Sequence, residues 1–181
     1  MITSLDGYVA DAEGNFDWAE PDAEGLAFVN EMVAPVGTFL YGRRMYEMMR
    51  YWETAEIDPV ADLHTAEWTR RWRATDKVVF STTLPEPDAP RTRVERTFDP
   101  AAVRELKESS DHDLTVDGPT LAAQAIRAGL VDEYHLLVCP VAVGGGTPYL
   151  PDGVRLDLDL LEERRFANGV LALRYRDRAG A

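Results

Sequence analysis

The chain alternates between segments whose apolar residues recur at helical spacing and short runs of apolar or β-branched residues. Leu26, Val29 and Val33 have helical spacing within the segment Pro21 to Ala34, where Asp22 is a candidate N-cap. Three further helices are predicted by the stripe Met45, Met48, Met49 and Trp52, by the segment Val60 to Trp72 with Leu63, Trp68 and Trp72 facing inward, and by the Asp-Pro start at Asp99 and Pro100.

Strands are predicted where β-branched and aromatic residues cluster between these helices. They cover Thr38 to Gly42, Lys77 to Thr83, the run that begins at Leu114, and Val131 to Val143. Near the C-terminus, Asn168-Gly169 separates two alternating runs, which is typical of a tight β-hairpin. This order of elements predicts an α/β fold with a mixed, mostly parallel sheet that is flanked by helices and closed by a C-terminal antiparallel hairpin.

Length and composition favour one globular domain. A chain of 181 residues with 45% hydrophobic and 28% charged residues predicts a single domain over 1–181. The proline-rich stretch Leu84 to Arg93 is expected to be an exposed connection within it. No apolar run reaches the roughly 18 residues of a membrane span, and no basic, apolar leader opens the chain. We therefore expect a cytoplasmic protein without a membrane partner.

The charge balance restricts the ligands further. The formal net charge is −13, and proteins that bind nucleic acid carry a basic face, so a nucleic-acid partner is not expected. Any anionic ligand must be bound by local arginines or by helix N-termini, against the unfavourable field of the whole molecule.

Metal and nucleophile chemistry have no support in the sequence. His64, His112 and His135 are scattered without metal-ligand spacing, so no metal is expected. Cys139 lies in the apolar run HLLVCPVAV, which favours a buried structural thiol. No serine occupies the G-x-S-x-G pattern of a hydrolase.

The stretch LTVDGPTLAAQAI, from Leu114 to Ile126, places a Gly-Pro corner between a strand and a helix. Gly118 lets another group approach the backbone, and Pro119 fits the first helical turn because its missing N–H is not needed there. The free N–H groups of Thr120 and its successors, with the helix dipole, can bind a phosphate. An efficient strand-to-helix turn explains the same residues.

A second corner, TFLYGRRMYEMM, passes from a strand to a helix through Gly42, with Arg43 and Arg44 in the first turn. Cations at a helix N-terminus oppose the dipole, so either an anion lies beside them or they are solvated. The 2′-phosphate of NADP is the candidate anion, because guanidinium groups bind phosphate with paired donors.

Other loops also allow two interpretations. Ser81, Thr82 and Thr83 either bind a ribose or its phosphate, or cap the chain as it leaves the sheet. The segment VAVGGGTPYL, Val141 to Leu150, lacks the P-loop and dinucleotide patterns; it either lets backbone approach a ligand or forms a wide turn. At the N-terminus, Asp6 precedes a glycine in what is predicted to be a strand-end corner.

Together these segments resemble the dihydrofolate reductase-like superfamily. Within it, they are most similar to the reductase domain of the bifunctional riboflavin-biosynthesis deaminase/reductase and its stand-alone relatives. The likeness rests on SLDGYVA with a following DW, on YGRRMYE, on VVFSTT, on VDGPTLAAQAI, on GLVDEYHLLVCPVAVGGGTPYL and on the terminal hairpin. These motifs occur in the family's order and cover nearly the whole chain.

The resemblance implies a homodimeric, NADPH-dependent oxidoreductase. Its substrate is expected to be a small heterocyclic or ribose-derived compound, pteridine- or pyrimidine-like, that accepts hydride at a C=N or C=O carbon. The resemblance assigns Gly42, Arg43 and Arg44 to the cofactor's phosphates, Ser81 and Thr82 to its adenosine ribose, Gly118, Pro119, Thr120 and Leu121 to its pyrophosphate, Val9 and Ala10 to its nicotinamide, and Asp6, Trp18 and Gly145 to the substrate. Asp6 and Trp18 are also the catalytic candidates, with Asp6 or water as the proton source.

The sequence departs from the family at several positions. Met45 stands where dihydrofolate reductases have threonine, and Tyr8 stands where riboflavin-pathway reductases usually have a basic residue. The first-helix acid that assists pterin protonation has no clear counterpart, although Glu24 is nearby. Met45 and the missing first-helix acid support a second hypothesis, a non-catalytic nucleotide-binding regulatory or sensor module.

Overall fold

The computed structural model describes residues 1–87 and 89–178. It divides into two compact units, which we call the terminal unit (residues 1–21 and 125–181) and the central unit (residues 22–124). That they form one domain stays a prediction. In chain order the elements are β1 (Ile2–Thr3), β2 (Tyr8–Ala10), a short 3₁₀ helix (Asp17–Ala19), α1 (Ala23–Met32), β3 (Val36–Gly42), α2 (Arg43–Met49), α3 (Tyr51–Thr54), α4 (Leu63–Ala74), β4 (Asp76–Phe80), β5 (Thr92–Glu95), α5 (Pro100–Ser109), β6 (Asp113–Asp117), α6 (Pro119–Arg127), β7 (Glu133–Val138), β8 (Thr147–Pro148), β9 (Leu158–Arg165) and β10 (Leu171–Asp177).

The central unit is built on a parallel sheet in the order β5-β4-β3-β6. Gly42 of β3 is in register with Phe80 of β4, and Tyr41 is in register with Asp117 of β6. Because all four strands run in the same direction, their carboxyl ends lie along one edge of the sheet. We call this the carboxyl edge; it is where ligands collect in open α/β sheets.

Side-chain caps begin α1 and α5 of the central unit where the sequence indicates. Asp22 accepts a hydrogen bond from the Gly25 amide at 2.8 Å, which confirms it as the N-cap of α1. Asp99 accepts from the Ala101 amide at 2.9 Å ahead of the proline that starts α5. The predicted helix over 60–72 begins three residues later than expected, at Leu63, because Asp62 caps it.

The core of the central unit is aromatic. Phe39 and Tyr41 of β3 stack at 5.5 Å between ring centroids, and Trp68 and Trp72 of α4 are buried as predicted. The prediction that Leu63 faces inward is wrong: its side chain is 64% exposed. Leu63 is the first helical residue after its cap, and α4 becomes buried only from its second turn.

The terminal unit has a mixed sheet in the order β1-β7-β10-β9 and a separate ribbon of β2 and β8. β1 runs parallel to β7, whereas β7, β10 and β9 are antiparallel. β9 and β10 form the predicted hairpin around Asn168-Gly169, with Gly169 at φ +90°. The predicted α/β class, with mostly parallel strands and a C-terminal hairpin, is confirmed.

Several boundaries differ from the predictions. β4 ends at Phe80, so the following hydroxyl residues form a turn. β7 ends at Val138, just before a Cys-Pro pair, since proline cannot donate to the ladder. The expected connection over 84–93 contains the start of β5, and its Asp88 lies outside the described residues. In the described part of the chain, every helix is too short or too polar to cross a membrane.

Candidate functional site

The carboxyl edge brings together three of the corners that the sequence singles out. These corners are the end of β3 with the start of α2, the turn after β4, and the end of β6 with the start of α6. A hydrogen bond joins the first two corners directly, since the Arg43 guanidinium donates to the Thr83 hydroxyl from Nη1 at 2.7 Å. The first and third corners are in contact distance, because a Cβ placed on Gly42 would lie 3.8 Å from Leu121 Cβ.

The two arginines at the start of α2 differ in their surroundings. Arg43 is held on two sides, by the bond to Thr83 and by a 2.8 Å ion pair with Glu47 one helical turn later. Arg44 is exposed and has no ion-pair or hydrogen-bond partner among residues 1–87 and 89–178. Arg43 is therefore oriented by the protein, whereas all the donors of Arg44 are available to an anion.

Of the two interpretations that the sequence allows for the hydroxyls after β4, the structure shows the capping one. Ser81 caps the turn, since its Oγ accepts from the Thr83 amide at 3.3 Å and the Leu84 amide at 3.0 Å. Thr83 orients Arg43 through its hydroxyl. Thr82 is exposed between them, and its assignment to the adenosine ribose stays a prediction.

A further arginine belongs to this edge and was missed in the sequence. Arg96, immediately after β5, donates from Nη1 to the carbonyl oxygens of Ser81 at 3.1 Å and Leu84 at 2.6 Å. It fixes the same turn that Arg43 contacts from the other side. The sequence feature that could have revealed Arg96 is the alternating run TRVE before it. Four residues inside a proline-rich segment are too few to predict a strand.

The Gly-Pro corner has the predicted geometry. Gly118 has φ +93°, which residues with a side chain rarely adopt, and Pro119 is the first residue of α6. The Gly118 carbonyl accepts from the Ala122 amide at 2.9 Å, so the amides of Thr120 and Leu121 precede the first helical bond. The Leu121 side chain is buried, so only its backbone can contribute to a ligand.

Two side chains beside this corner shape its chemistry. Met45 packs next to Gly118, with its Cβ 3.5 Å from the position of an added Cβ, where the resembled enzymes have a hydroxyl. Asp117 accepts a hydrogen bond from the Thr115 hydroxyl at 2.9 Å, and burial raises the pKa of its carboxyl group.

The backbone conformation and surroundings of Gly42 indicate whether these residues can accommodate a dinucleotide. Its φ of −74° is open to any residue, and an added Cβ would make only one ordinary contact, with Leu121. Neither backbone conformation nor packing within the central unit requires glycine here. Free space above the backbone, an unpartnered guanidinium and free helix-start amides match the donors that bind phosphate.

The terminal unit contains the SLDG corner, which links β1 to β2. The buried Ser4 hydroxyl donates to Asp6 Oδ1 at 2.7 Å and accepts from the Tyr8 amide at 2.9 Å. The Asp6 carboxylate also accepts from the amides of Val143 at 3.1 Å and Gly144 at 2.7 Å. The hydrogen bond from Ser4 and those from the two amides lower the pKa of Asp6 below 3.8.

The glycine-rich segment contains one glycine that is closely packed within the protein and one that is open. Gly146 is pressed against β2, because an added Cβ would collide with the Ala10 carbonyl oxygen and lie 2.8 Å from Asp11 Cα. Gly145, at φ +154°, has open space where its Cβ would be. Gly146 therefore serves a close approach within the protein, while Gly145 is free to face a ligand.

The remaining predicted site residues belong to the terminal unit. Val9 and Ala10 lie in β2 and are partly buried. Trp18 lies in the 3₁₀ helix, and its Nε1 is buried without a hydrogen-bond partner in the described part of the chain. The nicotinamide and substrate roles of these residues stay predictions.

Cys139 and His135 lie outside these corners. Cys139 is buried, and burial raises the pKa of its thiol, as the structural interpretation expects. His135 pairs with Glu133 at 3.3 Å on the terminal sheet. Within residues 1–87 and 89–178, no three His, Cys, Asp or Glu side chains are grouped as metal ligands.

The chain has an α/β fold of the dihydrofolate reductase-like class. A family model described as the RibD C-terminal domain matches residues 1–172. The chain belongs to this family, which confirms the resemblance to the riboflavin-biosynthesis reductase domain. Membership supports an oxidoreductase role.

Related proteins span nearly the whole chain. The uncharacterized protein YyaP of Bacillus subtilis (strain 168) is 29% identical over 179 residues, which are 97% of this chain and 91% of YyaP. A pyrimidine reductase-like protein from Corynebacterium diphtheriae has a TM-score of 0.69 at 14% identity, covering 97% of this chain and 89% of that one. RibD of Acinetobacter baumannii has a TM-score of 0.71 at 16% identity, covering 98% of this chain and 56% of that one. The two structural likenesses show the fold.

Proposed function

We propose that the protein is an NADPH-dependent reductase of a small pyrimidine- or pteridine-like, or ribose-derived, compound. NADPH supplies the hydride, which passes to a C=N or C=O carbon of the substrate. The protein supplies binding, orientation and the exclusion of competing reactions. The observation that carries this proposal is the convergence of Gly42, Arg43 and the Gly118 corner on one edge of the parallel sheet.

The contacts of the cofactor-binding residues support the roles proposed for them. Arg44, with free donors, binds the 2′-phosphate, and Arg43, oriented by Glu47 and Thr83, supports it from the neighbouring position. Gly42 lets the phosphate approach the backbone. The amides of Thr120 and Leu121 at the start of α6 bind the pyrophosphate, with Pro119 setting the first turn. Ser81 and Thr82 lie by the adenosine ribose.

The reactive end of the cofactor is assigned to the terminal unit. Val9 and Ala10 of β2 line the nicotinamide, and Trp18 and Gly145 face the substrate, with Asp6 near it. The buried Nε1 of Trp18 is a donor that the substrate can satisfy. Proton delivery accompanies hydride transfer in this proposal, either from Asp6 or from water.

Cofactor selectivity tests the proposal. Replacing Arg43 and Arg44 together by alanine should weaken NADPH binding by about ten- to a hundredfold, since a charge-assisted phosphate bond is worth roughly 1.5–3 kcal/mol. NADH binding should change little, because NADH lacks the 2′-phosphate. Calorimetric titration of both cofactors gives the two ratios.

The matched control is Arg50→Ala, which removes an exposed arginine at the other end of α2. This variant shows what the loss of a positive charge does by itself. Its affinities for NADPH and NADH should both remain unchanged. Equal losses for NADPH and NADH in the double variant would contradict the 2′-phosphate assignment. An absence of NADPH binding to the unaltered protein at micromolar concentrations would overturn the proposal as a whole.

A second candidate function is a nucleotide-binding regulatory or sensor module. It is favoured by the hydrogen bonds that hold Asp6 in its charged form, because a charged Asp6 has no proton to donate. A panel of carbonyl and imine compounds separates the two functions. NADPH oxidation with any member supports the reductase, whereas binding without oxidation across the panel supports the sensor.

A homodimer in the cytoplasm is part of the proposal, because the family resemblance implies it. Light scattering after gel filtration should give twice the mass of the 20.2 kDa chain. A monomer at micromolar concentration would contradict it.

A further inference from the structure

Asp6 occupies the position that a bound anion would take beside a glycine-rich loop. Its two carboxylate oxygens accept three hydrogen bonds, from the Ser4 hydroxyl and from the amides of Val143 and Gly144. The amide of Leu5 adds a bond to the Val141 carbonyl at 2.7 Å. The loop is thus held to the corner between β1 and β2, and the amides of Val143 and Gly144 are not available to a ligand phosphate.

The same loop bears directly on β2. Gly146 lies so close to the Ala10 carbonyl that no side chain fits between them. The next residues form β8, where Thr147 pairs with Ala10 and Pro148 with Tyr8. The Tyr149 amide then donates to the Gly7 carbonyl at 2.9 Å, so the chain after β8 is also bonded to the corner between β1 and β2. The position of β2 therefore depends on the conformation of residues 143–148.

We propose that Asp6 is a positioning residue whose carboxylate is the built-in anion of the loop Val143–Gly146 and fixes β2 through Gly146 and Ala10. This rests on the proposed function, in which Val9 and Ala10 of β2 line the nicotinamide. Asp6 then acts on the cofactor's reactive end through the backbone. The proton for the reduction comes from water and not from this carboxyl group.

The electrostatics agree with a carboxylate that is charged at neutral pH. The hydrogen bonds from Ser4 and Gly144 are the largest causes that lower the pKa of Asp6. A general acid at neutral pH needs the opposite shift, towards the working pH. An Asp6 that is fully ionised binds the loop amides most strongly and has no proton to give.

Amide exchange in the ligand-free protein tests the first step. Asp6→Asn keeps the size of the side chain but removes its charge and one acceptor oxygen. The Gly144 and Val143 amides should then exchange about ten- to a hundredfold faster, the range expected from losing a charge-assisted bond. Asp11→Asn is the matched control, because the Asp11 carboxylate accepts hydrogen bonds within its own turn, from the Asn15 amide and side chain. It should leave both loop amides unchanged.

Cofactor fragments test the second step. Asp6→Asn should weaken NADPH binding while leaving adenosine 2′,5′-bisphosphate unaffected, because that fragment has no nicotinamide. Equal weakening of both probes, or unaltered Gly144 exchange, would overturn the proposal. If the unaltered protein binds neither probe, the proposed function fails while the exchange result still decides the role of Asp6 in the loop.

A titration of the unaltered protein covers the case in which Asp6→Asn does not fold. The amide signals of Val143 and Gly144 should shift together with a midpoint below 3.8, the usual value for aspartate. A midpoint above that value, or no shared titration, would contradict the proposal.

Discussion

The Arg43 guanidinium donates a 2.7 Å hydrogen bond to the Thr83 hydroxyl, 40 residues further along the chain. This contact joins the start of α2 to the turn after β4. It also fixes the direction in which Arg43 points, because Glu47 holds the other side of the guanidinium at 2.8 Å. A cation oriented in advance binds a phosphate with less loss of side-chain entropy than a free one.

Removing the orienting hydroxyl should weaken the cofactor without removing a charge. Thr83→Val should lower NADPH affinity by about two- to tenfold, which corresponds to roughly 0.5–1.5 kcal/mol for one hydrogen bond. NADH affinity should stay the same in the titration. Thr97→Val, at an exposed position after β5, controls for the loss of a surface hydroxyl. A similar loss for both cofactors would mean that Thr83 shapes the turn and does not act through Arg43.

Two glycines of the carboxyl edge should respond differently to alanine. Gly118→Ala should lower the free energy of unfolding by about 1–2 kcal/mol, because its φ of +93° disfavours any Cβ. Gly42→Ala should change stability by less than about 1 kcal/mol, since its φ of −74° suits alanine whereas the N-cap position of α2 favours glycine. Denaturant unfolding measures both changes.

We expect the requirement for glycine at position 42 to be visible in cofactor binding and not in stability. Gly42→Ala is expected to weaken NADPH binding severalfold, because the new Cβ fills the space over the backbone where a phosphate approaches. Unimpaired binding in this variant would show that the phosphate does not approach Gly42.

Lys77 should make the free energy of unfolding depend on pH in the alkaline range. Its ammonium group is buried, donates to the Trp72 carbonyl at 3.1 Å and lies 4.2 Å from the Trp72 ring centroid. Burial lowers the pKa of Lys77 from 10.5, so between the lowered value and 10.5 the folded protein binds fewer protons than the unfolded chain. Stability contributed by this residue therefore rises with pH across that window.

Lys77→Met isolates this effect. The free energy of unfolding of the unaltered protein, minus that of the variant, should increase as the pH is raised from neutral towards 10.5. The other lysine, Lys107, lies on α5, and Lys107→Met serves as the control. A constant difference over this range would show that burial does not shift the Lys77 pKa.

Much of the fold was accessible from local sequence patterns. The caps at Asp22 and Asp99, the Gly118-Pro119 corner and the Asn168-Gly169 hairpin were all predicted, because each depends on residues within one turn of the chain. β5, by contrast, was hidden, since its four residues become a strand only by pairing with β4. The two-residue strands β1 and β8 were hidden for the same reason.

For the candidate site, the sequence by itself determined which residue types occur at the strand ends, because strand-helix alternation and special backbone conformations are local properties. Tertiary structure alone decided which of these groups meet. It paired Arg43 with Thr83, added Arg96 to the same turn, and joined Asp6 to amides 137 and 138 residues away. The physical reason is that a hydrogen bond needs its donor within about 3 Å of its acceptor, and only the folding of distant strands into sheets sets that distance.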